Sequence, residues 1–241
     1  MKIQKPNTSF QIVAHRGLSQ KYPENTLEGF KAALMQHIDM LEIDVHFTKD
    51  KQLVVIHDDS IDRTSNQKGK VKDFTLEELK QFDFGIKHGE SFKNTCISTF
   101  SEVLSLFKKY SKTLLIEIKK PEQYPGIEKA LLEELDKFQI PSHRVIIQSF
   151  DVESVKRMSE YTKKYVLGVL ISKKQYWYKQ PDFENIASFA QFINPNYKLI
   201  NKKFIKRAHE HHLKVIPYTV NNGKDVKLSL IHISEPTRLG M

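Results

Sequence analysis

Seven ionisable side chains stand where apolar runs of the sequence end or are interrupted. They are His15 and Arg16 after IVA, Glu42 and Asp44 within LEIDV, His57 after LVVI, and Glu117 and Lys119 in LLIEIK. A strand buried on both faces gains nothing from such groups unless they point into a shared site. Glu42 and Asp44 are two residues apart in an alternating segment, so a strand puts both carboxylates on one face. If these strands belong to a parallel barrel, their C-terminal ends converge on one mouth, and Glu117 joins the pair there. Three carboxylates packed together repel one another and require a cation. An all-oxygen set without cysteine suits Mg²⁺ or Ca²⁺ better than a softer metal.

His15 and His57 supply the proton chemistry that such a site needs. Imidazole titrates near neutral pH, so one ring can take a proton from a nucleophile while the other gives one to a leaving group. Arg16 and Lys119 add two fixed positive charges. Together with a divalent cation they suit the charge that develops on a phosphoryl oxyanion, and the chemistry implied is phosphoester cleavage. Each group alone has a plainer reading. A histidine at a strand end is most often a hydrogen-bonded structural residue, Glu-x-Asp is usually a solvated face, and Glu117 with Lys119 reads as a same-face ion pair. The coincidence of all seven with strand ends favours the site. His46, His88, His143, His209, His211 and His212 lack that context and read as surface residues.

The elements that must position these groups follow from periodicity. Short strands are expected over residues 11–14 and 41–47, with a turn over 48–52 and a returning strand at 53–56. Asn25 or Thr26 is placed to cap the helix between the first two strands. Residues 59–112 lack a strong strand and read as a small insertion. It holds a short helix opened by a Thr75/Glu78 capping box, a loop over 84–95, and an amphipathic helix over 98–110. Strands at 114–118, 145–149, 166–170, 192–194 and 214–220 then alternate with helices at 127–138, 152–161, 183–189 and 203–211. Such alternation implies parallel pairing through right-handed crossovers. The fold class is α/β, a TIM (β/α)8-type barrel with a small helical insertion after the second strand. Seven barrel strands are countable where eight close the barrel.

Length and composition bound the rest. With 241 residues, 39% of them apolar, the chain reads as one domain over residues 1–227. The final residues, 228–241, read as a non-native tail, since LSLIHISEPTR resembles a translated sequencing adapter; the last strand and helix are then expected to be missing. A net charge of +9 would suit an acidic partner, but the lysines are spread singly or in pairs without a nucleic-acid motif, which argues for a solvated surface. The single cysteine, Cys96, rules out an internal disulfide and reads as a buried small residue. The N-terminus lacks the apolar stretch of a signal peptide and no run is long enough to span a membrane, so a cytoplasmic protein is expected.

Together, His15-Arg16-Gly17, Pro23-Glu24-Asn25-Thr26, Glu42-Ile43-Asp44-Val45, Thr48-Lys49-Asp50, Val54-Val55-Ile56-His57-Asp58, Arg63-Thr64, Glu117-Ile118-Lys119 and Tyr218-Thr219-Val220-Asn221 resemble the glycerophosphodiester phosphodiesterase family. The resemblance runs in order from about residue 11 to residue 222. It implies hydrolysis of small glycerophosphodiesters to glycerol 3-phosphate and an alcohol, with one divalent cation, Mg²⁺ or Ca²⁺. It further implies His15 and His57 as the acid/base pair, Glu42, Asp44 and Glu117 as metal ligands, and Arg16 and Lys119 as phosphate contacts. A lysophospholipase D acting on lipids and a non-catalytic barrel are the alternatives. The chain departs from the family pattern at Ser98, where a proline is usual, and at Tyr218, where a tryptophan is usual. The Tyr176-Trp177-Tyr178 segment reads as a loop packed on the barrel rim, an interfacial patch being the other reading.

Overall fold

The computed structural model describes residues 11–218, which form two compact units divided between Ile147 and Gln148. The first unit is built on a parallel core ladder. Strand β1 (Val13–His15) leads through helix α1 (Leu27–Leu34) to β2 (Met40–Phe47), all eight of whose residues are buried. Thr26 caps α1 by accepting from the Gly29 amide, which satisfies one of the free donors of the first turn, and Phe30, Ala33 and Leu34 bury the apolar stripe. The return strand β3 (Leu53–Val55) pairs antiparallel to β2, as a short turn requires.

The insertion carries no long strand, as its sequence leads one to expect, but it adds a short pairing to the sheet. Helix α2 (Leu76–Lys80) does carry the Thr75/Glu78 capping box. Ser98 and Thr99, however, form a two-residue strand β4, paired antiparallel with β3, ahead of helix α3 (Phe100–Phe107). Thr99 caps α3 in a second capping box with Glu102, so the chain leaves the sheet and enters the helix without a loop. Ile61, Val71, Leu79, Phe84 and Ile97 close a small core against Val54 and Ile56. Strand β5 (Thr113–Ile118) then returns to the centre and pairs parallel with β2, giving the order β4-β3-β2-β5, with β1 on the edge of β2 opposite β5, where it pairs ahead of β3. Helix α4 (Ile127–Lys137) follows, and β6 (Val145–Ser149) runs across the division between the units.

The second unit continues the alternation: helix α5 (Val152–Tyr161), strand β7 (Val166–Ile171), helices α6 (Lys173–Tyr176) and α7 (Phe183–Ala187), strand β8 (Phe192–Pro195), helix α8 (Lys202–Glu210) and strand β9 (Lys214–Val215). Strands β7, β8 and β9 pair in parallel register. Gln148 and Asn194 are buried polar residues of this unit, and Asn194 Nδ2 donates a hydrogen bond of 2.5 Å to Gln148 Oε1. Of the last expected strand, 214–220, the described part forms β9 at Lys214–Val215 and a bridge from Tyr218 to Asn196; Thr219, Val220, Asn221 and the expectations for the tail at 228–241 and an eighth strand lie outside the described residues.

Three surface assignments are corrected. His46 is fully buried rather than exposed, because β2 is covered on both faces and Tyr124 lies against the ring. Cys96 is exposed, standing in the loop that precedes β4. Trp177 and Tyr178, expected in a loop packed on the barrel rim, are instead 71% and 66% exposed just past a short helix that ends at Tyr176.

The link between β1 and α1 is backbone-limited. Gly17 has φ of +82°, and a Cβ there would lie 2.8 Å from the Gly29 carbonyl carbon. Gly17→Ala is therefore expected to destabilise the protein by about 1–3 kcal/mol in urea unfolding, and wild-type stability would show that this turn is not constrained.

Candidate active site

Strand register gathers the site. The β1–β2 ladder sets His15 beside Glu42, and the β2–β5 ladder sets Asp44 beside Glu117. Paired residues in a parallel ladder project from the same side, and Glu42 and Asp44 are two residues apart, so the three carboxylates share one face. Glu42, Asp44 and Glu117 are all buried, and one carboxylate oxygen from each lies within 4.8 Å of the other two.

Their surroundings are cationic but incomplete. Lys119, two residues past Glu117, brings Nζ to 2.6 Å from Glu117 Oε1 and 3.6 Å from Asp44 Oδ1. Arg16 donates its backbone N–H to Glu42 Oε2 at 2.9 Å and places Nε 3.4 Å from Asp44 Oδ2. It does so from a left-handed backbone, φ 57°, a conformation that a bulky residue adopts only when held there. Asn25, also at positive φ, is locked by its N–H to the Arg16 carbonyl and donates Nδ2 to Asp44 Oδ2 at 2.9 Å.

Three carboxylates against two cations leave one negative charge over. Burial, followed by repulsion from Asp44 and Glu117, drives the Glu42 carboxyl well above the usual carboxylate range. Burial and Asp44 push Glu117 up to about 7, against the pull of Lys119. Asp44 Oδ1 is buried and accepts no hydrogen bond. A hard divalent cation fits this set of oxygens, being the one addition that would satisfy that atom and reverse both shifts.

The two candidate histidines stand at the edge of the cluster. His15 Nε2 is 3.9 Å from Glu42 Oε2, with 38% of its side chain exposed; burial and the Arg16 charge hold the imidazole below its ordinary range. Burial also lowers His57. His57 Nδ1 lies 2.6 Å from Asp58 Oδ1, and Nδ1–H donating there leaves Nε2 as the nitrogen able to exchange a proton. Asp58 is in turn bound by Arg63 Nε at 2.6 Å, and Arg63 NH1 and NH2 each reach Glu24 at 2.7 Å.

All seven expected residues thus fall in the first unit, and the carboxylates, Arg16, Lys119 and His15 lie in contact. Sequence reasoning gave no role to Glu24, Asp58 and Arg63 and offered Asn25 only as a helix cap, although each stands in a quoted motif block. His46 it misassigned: Nε2 lies 3.2 Å from the His57 carbonyl and Nδ1 2.9 Å from the Tyr124 hydroxyl, so it braces the backbone that carries His57. Its position two residues past Asp44, on the same face, was the available signal.

Residues 15–232 match the glycerophosphoryl diester phosphodiesterase family. The chain is 38% identical over 220 residues to the glycerophosphodiester phosphodiesterase of Caldanaerobacter subterraneus subsp. tengcongensis, covering 90% of this chain and 88% of that protein. To the enzyme of the same name from Bacillus altitudinis it is 37% identical over 221 residues, covering 90% and 89%. Among solved structures it resembles an Oleispira antarctica phosphodiesterase in complex with the product sn-glycerol-3-phosphate, with a TM-score of 0.81, 26% identity and coverage of 91% and 89%. Fold and site define an α/β phosphodiesterase of the TIM-barrel class. The chain belongs to the glycerophosphoryl diester phosphodiesterase family.

Crowding of buried carboxylates has a measurable consequence. Glu42→Gln removes a carboxyl that must either stay protonated or be repelled on burial, and in chelator it is expected to unfold at or above the wild-type temperature, gaining up to about 1 kcal/mol. Added Mg²⁺ or Ca²⁺ should stabilise the wild type and leave the variant nearly unchanged. Equal stabilisation of both by the ion would place the cation elsewhere.

Proposed function

We propose that this chain hydrolyses glycerophosphodiesters to glycerol 3-phosphate and an alcohol, using a divalent cation held by Glu42, Asp44 and Glu117. The observation that carries the reading is the approach of three buried carboxylates to within 4.8 Å of one another. Relatives named glycerophosphodiester phosphodiesterase over most of the chain, and a structural neighbour described with sn-glycerol-3-phosphate as its product, support the substrate class. When bound, Mg²⁺ or Ca²⁺ supplies Lewis-acid charge to a phosphoryl oxygen.

The residues of the chain do the rest. With all three carboxylates ionised around a divalent cation, Arg16 and Lys119 would leave one excess positive charge, which a phosphodiester monoanion neutralises. Arg16 and Lys119 then have the position and charge to hold its non-bridging oxygens as charge builds there. His15 and His57 divide the proton transfers: one accepts a proton from the nucleophile, water or the glycerol 2-hydroxyl, and the other donates one to the departing alcohol. Asp58 keeps His57 in the tautomer that exposes Nε2, and Arg63 keeps Asp58 ionised: although burial opposes it, the Arg63 hydrogen bond draws that carboxyl down to about 2. Burial holds both His15 and His57 below the usual imidazole range, which favours the neutral form that the proton-accepting ring needs.

Chelator is expected to stop release of glycerol 3-phosphate from glycerophosphocholine, and Mg²⁺ or Ca²⁺ to restore it. His57→Ala and Glu42→Ala should each lower kcat by at least about 100-fold. A chelator-insensitive rate, or wild-type turnover by either variant, would contradict the mechanism.

A further inference from the structure

The segment that follows β7 carries a surface that the hydrolytic site does not use. Residues 173–179 read Lys-Lys-Gln-Tyr-Trp-Tyr-Lys, with α6 capped by Ser172 and ending at Tyr176. Trp177 and Tyr178 then stand out at 71% and 66% exposure, their rings in edge contact at 5.3 Å. Large adjacent aromatic rings held in water forgo burial that would stabilise the fold, and mark a surface built to meet something.

The charge around them identifies the partner. Trp177 and Tyr178 border an open cavity of about 470 Å³, lined also by Lys179, Lys198, Lys203 and Arg207 and by no carboxylate. Lys179 Nζ rides over the Tyr176 and Tyr178 rings at 5.5 and 5.8 Å, which fixes cation and aromatic side by side. A small soluble anion would call for a cleft that encloses it, whereas these rings project outward. Protruding Trp and Tyr flanked by lysines match the layered chemistry of an anionic bilayer, where rings settle at the headgroup boundary and ammonium groups meet the phosphates. Among the described residues no helix is long and apolar enough to cross a membrane, so attachment through this face would be peripheral.

We propose that this face docks the protein on anionic lipid bilayers, with Trp177 and Tyr178 entering the headgroup region and Lys173, Lys174 and Lys179 pairing with lipid phosphates. The docking stands independently of the catalytic assignment, since none of these residues belongs to the carboxylate site. The overall charge of +9 would attract any anionic surface, so the test must separate a local face from net charge.

Trp177 is the single tryptophan of the chain, and its fluorescence therefore reports on this face alone. The full chain, mixed at low salt with phosphatidylglycerol/phosphatidylcholine vesicles, is expected to show a blue-shifted emission and at least about tenfold stronger partitioning than onto pure phosphatidylcholine. Trp177→Ala and the triple Lys173→Glu, Lys174→Glu, Lys179→Glu variant should lose vesicle binding in sedimentation while keeping the wild-type melting temperature. The triple Lys68→Glu, Lys72→Glu, Lys93→Glu variant, with the same change in net charge, should retain it. Absence of a blue shift with anionic vesicles, or equal loss of binding in both triple variants, would overturn the proposal. So would a shift produced by inorganic phosphate or AMP and not by vesicles, which would assign the cavity to a soluble anion.

Discussion

Repulsion among Glu42, Asp44 and Glu117 is the constraint on which the rest of the site depends. Two full charges 4.8 Å apart at an effective dielectric of about 20 repel by about 3 kcal/mol, and three such pairs would approach the whole stability of a typical domain. Protons, Arg16 and Lys119 relieve part of this load in the cation-free chain, and burial together with the repulsion makes Glu42 and Glu117 hold their protons more tightly than free carboxylates do. A divalent cation held by the three carboxylates would relieve the same load by direct coordination.

The fold sustains that load through register rather than through loops. β2 is buried along its full length, flanked by β1 and β5 in parallel, and each ladder fixes one neighbour of a carboxylate: His15 for Glu42 and Glu117 for Asp44. A slip of one residue in either ladder would send the partner to the opposite face. Outside the ladders, the positive-φ pair Arg16 and Asn25 turns two side chains back onto Asp44, and Gly17 allows the turn to pass against α1. On the other side of the cluster, His46 and Arg63 hold the segment that carries His57.

Much of this was legible in the sequence because strand periodicity is itself geometric. Glu42 and Asp44 share a face by spacing alone, and the turn at residues 48–52 predicts the β2–β3 hairpin that follows. The capping box at Thr75 and Glu78 is equally local, and α5 falls where its apolar pattern places it. What escaped was non-local. The strand β4 consists of two residues whose pairing with β3 no local pattern announces. Burial of His46 depends on Tyr124, seventy-eight residues away, and the Glu24–Arg63–Asp58 chain depends on the insertion folding back over the β1–α1 turn. Exposure of Trp177 and Cys96 reversed the ordinary preference of those residue types, which composition alone cannot anticipate.

The central claim is that one hard cation is shared by three carboxylates on a single sheet face. Anomalous diffraction from crystals soaked in Mn²⁺, an ion that takes the same oxygen ligands, tests it directly. The account predicts one strong peak within about 2.6 Å of an oxygen from each of Glu42, Asp44 and Glu117. A peak missing from that position, or one that touches only a single member of the trio, would contradict it.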